Sequence, residues 1–106
     1  MALMSIRIIL ALFLCAATSP AWAQAGDPAA GQAKSATCVA CHGADGNSTN
    51  PEWPKLAGQH AAYLVKALKA YKSGTRTDPL MGPQVMALNE DDMNNLAAYF
   101  AAQTQK

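Results

Sequence analysis

Two stretches of the chain carry hydrophobic residues at the spacing of one helix face. Between Gly58 and Ser73 the apolar positions recur at i, i+3, i+4, i+7 and i+10, and they are Ala61, Leu64, Val65, Leu68 and Tyr71. This period predicts an amphipathic helix over residues 58–73, ended by Gly74. A second helix is predicted to begin with Asn89 as its N-cap and Asp92 at its third position. Its buried face would consist of Met93, Leu96, Ala97 and Phe100.

A third helix is predicted before these two, and the intervening segments have the composition of loops. Residues 29–37 are rich in alanine, and Gly31 interrupts them where another helix could approach the backbone closely. Residues 43–54 are rich in Gly, Asn, Ser and Pro, and residues 75–88 are interrupted by Pro and Gly, which indicates irregular backbone. The pattern predicts an all-α domain of three main helices, with loops long enough to need a large apolar object to pack on.

The first 23 residues predict a signal peptide. Arg7 supplies a positive charge, residues 8–17 form an unbroken apolar run, and Ala21-Trp22-Ala23 fits the small-x-small rule for cleavage. The run is short for a bilayer, which needs about 20 apolar residues in a helix, although an uncleaved segment would act as an anchor. We therefore expect cleavage after Ala23, a mature domain of residues 24–106, and a periplasmic location.

Charge and size narrow the class of protein further. Without Arg7, seven basic residues balance seven acidic ones, and a neutral surface argues against a nucleic-acid partner, which needs concentrated positive charge. A domain this small usually needs a disulfide, a metal or another covalent support. Cys38 and Cys41 are available for that purpose, whereas Cys15 lies in the predicted signal peptide.

The segment CVACH, residues 38–42, concentrates the candidate chemistry. A structural zinc site needs four ligands in paired spacing, and His60 stands alone. A thioredoxin-like dithiol follows a strand, but no alternating β-branched run precedes Cys38. A disulfide across two residues would close a short loop and stabilise little. C-x-x-C-H is the signature of covalent haem c, with both thiols joined to the haem vinyl groups and His42 as an iron ligand, and we favour this interpretation.

Taken together, these segments resemble the class I c-type cytochromes. The similarity is to small single-haem bacterial cytochromes of the c-553 kind and to each half of their two-haem relatives, the cytochromes c4. It extends over residues 25–103. The resemblance implies the class I cytochrome c fold, with long loops wrapped around one covalently attached haem c, and a helix crossing between Gly31 and Tyr99.

The resemblance also assigns roles to the segment WPKLAGQ. The family's P-x-L-x-G pattern implies that the carbonyl of Pro54 accepts the imidazole N–H of His42. It further implies that Leu56 packs near the haem and that Gly58 opens the following helix.

A methionine in the loop before the last helix would be the second iron ligand in such a cytochrome. Met81 precedes Gly82-Pro83, in irregular backbone that can project a thioether toward iron. Met86 belongs to the apolar run VMAL, which suits the core, the commoner use of methionine. The family's spacing from the ligand to Leu88 also favours Met81. We therefore expect Met81 to bind iron and Met86 to fill the core.

Several other side chains are conspicuous in the sequence. His60 is expected to be solvated, and Trp53 and Arg76 are possible neighbours of the porphyrin and of a propionate. The polar face of the middle helix carries a stripe of three lysines, Lys66, Lys69 and Lys72. Such a stripe is usually solvated surface, and a role in steering acidic partners is the alternative.

The predicted ligands lead to a function. With His42 and Met81 both on the iron, no coordination position is free for oxygen or a substrate. The sequence therefore predicts a soluble, monomeric periplasmic electron carrier, not an enzyme, whose partners are redox proteins such as reductases, oxidases or dehydrogenases. A weakly bound methionine would instead allow a small peroxidase or gas sensor. A third possibility is a dedicated electron-transfer subunit of a larger dehydrogenase or oxidase.

Overall fold

The computed structural model describes residues 26–106, and the regular structure in this range is helical. The helices are α1 (Pro28–Lys34), α2 (Ala36–His42), α3 (Ala61–Ser73), α4 (Met81–Val85) and α5 (Glu90–Ala101). The all-α prediction is confirmed. The predicted signal peptide, residues 1–23, lies outside the described residues. From residue 26 onward, none of the helices combines the length and the apolar character that a membrane crossing requires.

The first predicted helix is divided in two at Ser35. The Ser35 hydroxyl donates to the carbonyl of Gln32 at 2.7 Å, and its backbone N–H donates to the same oxygen at 3.2 Å. This local bonding competes with the helical pattern, so α1 ends at Lys34 and α2 starts at Ala36. As a result, the motif CVACH lies on its own helix and is directed independently of α1.

The middle helix begins three residues later than its hydrophobic period predicts. Gly58 has φ +71°, in the left-handed region that a right-handed helix excludes, and His60 is the N-cap of α3. Gly58 therefore makes a turn before the helix and does not open it. At the other end, Gly74 terminates α3 in a left-handed conformation, φ +81°, as predicted.

The second predicted loop contains the short helix α4, which the sequence analysis missed. Pro83 is the third residue of α4, where its missing N–H has no helical acceptor to lose. Val85 and Leu88, three residues apart, are both buried in the core.

The expectation that Met86 fills the core is wrong, because its side chain is 61 % exposed. Residues adjacent in a helix point about 100° apart. With Val85 directed inward at the end of α4, Met86 is directed outward.

The last helix begins as predicted. Asn89 accepts a hydrogen bond from the backbone N–H of Asp92 at 2.8 Å, and the Asp92 carboxylate accepts one from the N–H of Asn89 at 3.0 Å. These reciprocal bonds form a capping box, which satisfies two backbone donors at the start of α5. All four residues predicted for its buried face are in the core, namely Met93, Leu96, Ala97 and Phe100.

The main packing contact joins α1 to α5. A Cβ built on Gly31 would lie 2.0 Å from the carbonyl oxygen of Asn95 and 2.9 Å from the Cβ of Tyr99, so only glycine fits here. The Asn95 side chain accepts from the N–H of Asp27 at 2.8 Å. The crossing of Gly31 with Tyr99 therefore lies where the resemblance places it.

Replacing Gly31 with Ala should destabilise the fold. The added methyl would overlap the backbone of α5, and overpacking of this kind costs about 1–3 kcal/mol. Urea unfolding of the haem-loaded protein measures the change in unfolding free energy. Gln32→Ala is the control, because Gln32 lies on the exposed side of α1, and its replacement should change stability by under about 0.5 kcal/mol. Equal stability of the two variants would contradict the close packing at Gly31.

Candidate haem-binding site

A cavity of about 570 Å³ opens beside the core, within the range of about 300–1,000 Å³ typical of ligand pockets. Its walls come from α2, the segment 52–59, α3, the segment 76–84 and α5. Its apolar lining includes Leu64, Leu68, Leu96, Ala97 and Phe100. A large, flat, apolar group with a polar edge suits such a space, so the residues around it fit a haem.

Both cysteines and the histidine of CVACH line this cavity. Residues three and four apart lie on one face of a helix, and α2 therefore directs Cys38, Cys41 and His42 to the same side. The two cysteines do not form a disulfide with each other. Burial raises the pKa of the Cys38 thiol, and a weaker opposing effect comes from a hydrogen bond with the Thr37 side chain.

The imidazole of His42 has one nitrogen engaged by the backbone. Nδ1 lies 2.7 Å from the carbonyl oxygen of Pro54, and since a carbonyl can only accept, Nδ1 carries the proton. This bond fixes the tautomer and leaves Nε2 as the nitrogen with a free lone pair. His42 is buried. The Pro54 contact implied by the family resemblance is present in the structure.

The two candidate methionines differ in their relation to the cavity. Met81 lines it and packs on the hydrophobic core. Met86 does not contribute to the lining and is exposed. The structure thus brings Cys38, Cys41, His42 and Met81 around one space and leaves Met86 outside it.

The remaining predicted neighbours of the haem also lie at the cavity. Leu56, Trp53 and Arg76 line it, and the Arg76 guanidinium lies 4.7 Å from the ring centroid of Tyr71. The backbone N–H of Leu56 donates to the carbonyl of Gly46 at 2.8 Å. This bond joins the segment that holds Pro54 to the loop after the CVACH motif.

The loop after His42 is connected to the end of the chain. The Tyr99 hydroxyl donates to the carbonyl of Ala44 at 2.7 Å, and a Cβ on Gly46 would contact Phe100 at 2.8 Å. Asp45 pairs with the Lys106 ammonium at 3.0 Å and accepts from the N–H of Asn47 at 3.0 Å. These bonds hold the His42 side of the cavity against α5.

The lysine stripe on α3 is partly used for structure. Lys69 pairs with Glu90 at 3.0 Å, and Lys72 donates to the backbone carbonyl of Leu88. Lys66 and His60 are exposed. Lys69 and Lys72 thus join α3 to residues at or just before the start of α5. The stripe therefore does not consist of three free charges.

The sequence analysis missed Asp78, whose carboxylate accepts from the backbone N–H groups of Leu80 and Met81 at 2.8 Å each. Those two N–H groups hold the pKa of Asp78 below its ordinary value, with that of Met81 contributing most. Aspartate followed by proline is a known turn signal, and it could have identified this residue. The sequence analysis also missed Tyr63 and Leu80. They line the cavity, and because they are 48 % and 65 % exposed they lie near solvent.

Comparison with known proteins identifies the family. The family model described as cytochrome c matches residues 28–103. The chain is 54 % identical over 79 residues to cytochrome c4 of Pseudomonas aeruginosa, covering 74 % of this chain and 39 % of that protein. It is 46 % identical over 82 residues to cytochrome c-554(548) of Halomonas halodenitrificans, covering 74 % of this chain and 99 % of that protein.

The chain is also similar to a protein named as a subunit of an enzyme and to a solved structure. The chain is 33 % identical over 94 residues to a protein of Chlorobaculum tepidum named as the cytochrome subunit of sulfide dehydrogenase, covering 86 % of this chain and 84 % of that protein. The crystal structure of reduced cytochrome c4 from Pseudomonas stutzeri superimposes with a TM-score of 0.74 at 43 % identity, covering 77 % of this chain and 48 % of that chain.

The chain belongs to the cytochrome c family and has the class I cytochrome c fold. It carries haem c attached covalently through Cys38 and Cys41 of the C-x-x-C-H motif, and its family function is electron transfer. The predicted fold and cofactor are confirmed. The chain spans about two fifths of the length of the cytochromes c4 that it matches.

Replacing Cys38 or Cys41 with Ala should abolish or sharply reduce accumulation of the haem-loaded protein, because each change removes one of the two thioether links. Haem absorbance of the purified protein measures this. Cys15→Ala is the control and should leave haem content unchanged. Wild-type protein should keep its haem through denaturation, and haem recovered by acid-acetone extraction would rule out covalent attachment.

Acid should weaken the loop that follows His42. The Lys106 ammonium, helped by Asn47, lowers the pKa of Asp45 from 3.8 to about 2. A folded-state pKa below the unfolded one means that the carboxylate stabilises the fold above about pH 4, and that this contribution is lost as pH falls toward 2. The stability gap between wild type and Asp45→Asn should therefore narrow from pH 5 to pH 2.5.

Urea midpoints at the two pH values measure this gap. Lys106→Gln removes the partner charge, so the stability gap between wild type and this variant should narrow in the same way as pH falls. A gap that stays constant between pH 5 and pH 2.5 would contradict the role of the ion pair.

Proposed function

We propose that this chain is a soluble periplasmic electron carrier whose haem iron is ligated by His42 and Met81. The observation that carries the proposal is the shared cavity: the two potential iron ligands line it together with both attachment cysteines. Bound haem c supplies an iron centre that gains and loses one electron. The side chains of this protein determine which ligands the iron has, how dry the site is and where partners can approach.

A hydrogen bond to the backbone would orient His42 for binding iron. Its Nδ1–H donates to Pro54 at 2.7 Å, so the ring is held in one tautomer and Nε2 is available as the ligand. Such outer hydrogen bonds orient a ligating imidazole and raise its basicity. Pro54 therefore acts on the iron only through His42.

Met81 supports a carrier rather than an enzyme. Met81 and His42 would together hold the iron through a thioether and an imidazole, and this pair would leave no site for a substrate. A neutral sulfur ligand favours the ferrous state and raises the potential relative to a second imidazole. Burial acts in the same direction, because the ferric centre has the additional positive charge.

Partners are proposed to approach where the cavity wall reaches solvent. Tyr63 and Leu80 are exposed apolar side chains that also line the cavity, so a partner protein could contact them close to the haem. Redox encounters usually use small, transient interfaces. Residues 1–23 and the covalent cofactor support export, and we propose a monomer in the periplasm after cleavage behind Ala23.

A second candidate function is a dedicated subunit of a larger dehydrogenase. It is favoured by the similarity to the protein of Chlorobaculum tepidum named as a cytochrome subunit. Affinity purification of the tagged protein from periplasm distinguishes the two functions. A free carrier should be recovered alone, whereas a subunit should be recovered with a flavin- or metal-containing enzyme in fixed ratio.

Optical redox titration of the purified protein tests the ligation. Met81→Ala should lower the potential, because water, hydroxide or a nitrogen ligand would replace sulfur, and each favours ferric iron more. The equilibrium between ferric and ferrous iron changes tenfold for about every 59 mV of potential. A fall on the order of a few hundred millivolts therefore shifts this equilibrium toward ferric iron by several powers of ten. The far-red band of the sulfur-to-iron bond should disappear in the ferric protein.

Met86→Leu is the matched control. Met86 is exposed and lies outside the cavity, so the band and the potential should be almost unchanged. Loss of the band in Met86→Leu and its retention in Met81→Ala would show that the wrong methionine is assigned. Rapid binding of carbon monoxide by the ferrous wild type at neutral pH would favour the peroxidase or gas-sensor alternative.

A further inference from the structure

The backbone N–H groups of Leu80 and Met81 are both bonded to the same side chain, that of Asp78. One oxygen of its carboxylate, Oδ1, accepts from the N–H of Leu80 and from the N–H of Met81, each at 2.8 Å. The Asp78 carbonyl accepts from the N–H of Gly82 at 2.9 Å. Pro79, which has no N–H, stands between acceptor and donors. Asp78 thus closes a turn whose last member is the candidate iron ligand itself.

Other contacts of Met81 are apolar, and its own side chain packs on the core. Val85, four residues later and on the same face of α4, is fully buried in the core. On the N-terminal side the formal cap of α4, Leu80, provides no side-chain bond, and its own side chain is 65 % exposed. Among the described residues, Asp78 is the side chain that accepts from this backbone where the thioether projects. Gln84 contributes a longer bond, with its Nε2 donating to the Leu80 carbonyl at 3.5 Å.

We propose that Asp78 is a positioning residue for the Met81 thioether, acting through its two backbone hydrogen bonds; the inference rests on the proposed ligation of iron by Met81. Without the acceptor at residue 78, the turn 78–81 loses the two bonds that define it. The sulfur then spends more time away from the metal, and an added ligand competes for that position more successfully.

Imidazole binding to the ferric protein at pH 7 measures this competition, followed by loss of the far-red band. Asp78→Ala should bind imidazole at least tenfold more tightly than wild type, which corresponds to about 1.4 kcal/mol. Asp78→Asn keeps an oxygen in the same place, and its affinity should stay within about threefold of wild type. Asp78→Glu keeps the charge but moves the acceptor, so it should behave like the alanine variant.

Asp45→Ala is the matched control for general loosening. Asp45 closes a similar turn, accepting from Asn47 at 3.0 Å, but on the His42 side of the cavity. It should lower the urea midpoint and leave imidazole affinity within about threefold of wild type. Equal affinities for wild type, Asp78→Ala and Asp78→Glu would overturn the proposal. It would also be overturned if Asp78→Asn behaved like the alanine variant while Asp78→Glu matched wild type, since charge would then be responsible.

The experiments distinguish a failure of the ligation by Met81 from a failure of the positioning role of Asp78. If wild type has no far-red band and Met81→Ala binds imidazole no more tightly than wild type, the ligation proposed for Met81 is wrong. If Met81→Ala loses the band and the Asp78 variants match wild type, the ligation stands and the positioning role of Asp78 is rejected. Should Asp78→Ala accumulate poorly, Asp78→Glu and Asp78→Asn still give opposite expected affinities.

Discussion

The structure depends on a space that its own side chains do not fill. The core residues of α3 and α5, including Leu64, Leu96 and Phe100, form one wall of a cavity of about 570 Å³. Apolar surface facing such a space gains little from burial until something occupies it. Covalently attached haem c would complete this apolar core, and the same packing that stabilises the protein would keep the redox centre in an apolar environment.

The two sides of the cavity are constructed differently. On the His42 side, the imidazole is held by the Pro54 carbonyl, and the neighbouring loop is bonded to α5 through Tyr99 and Ala44. On the Met81 side, a short helix is held between the turn at Asp78 and the buried Val85. The first side is connected to the main helix crossing, whereas the second depends on a few local bonds. We therefore infer that, if Met81 binds the iron as proposed, loss of ligation would begin on the Met81 side.

The relatives place this fold in more than one context. A chain covering two fifths of a cytochrome c4 also covers almost all of a single cytochrome, c-554(548). The same unit thus occurs within a longer protein and as nearly the whole of a shorter one. In this chain, one domain supplies both the attachment motif and the helices that line the cavity.

The sequence by itself determined the parts that depend on local chemistry. The C-x-x-C-H spacing specified covalent haem, the hydrophobic period located α3 and α5, and the capping residues Asn89 and Asp92 marked where α5 begins, because each of these signals lies within a few residues. Tertiary structure decided the rest. Met86 looked apolar enough for the core, but burial of Val85 turned it outward, and the role of Asp78 appeared only when its carboxylate met the N–H of Met81. Side-chain direction and hydrogen-bond partners depend on how the backbone folds in space, and hydrophobic pattern does not specify that path in an irregular loop.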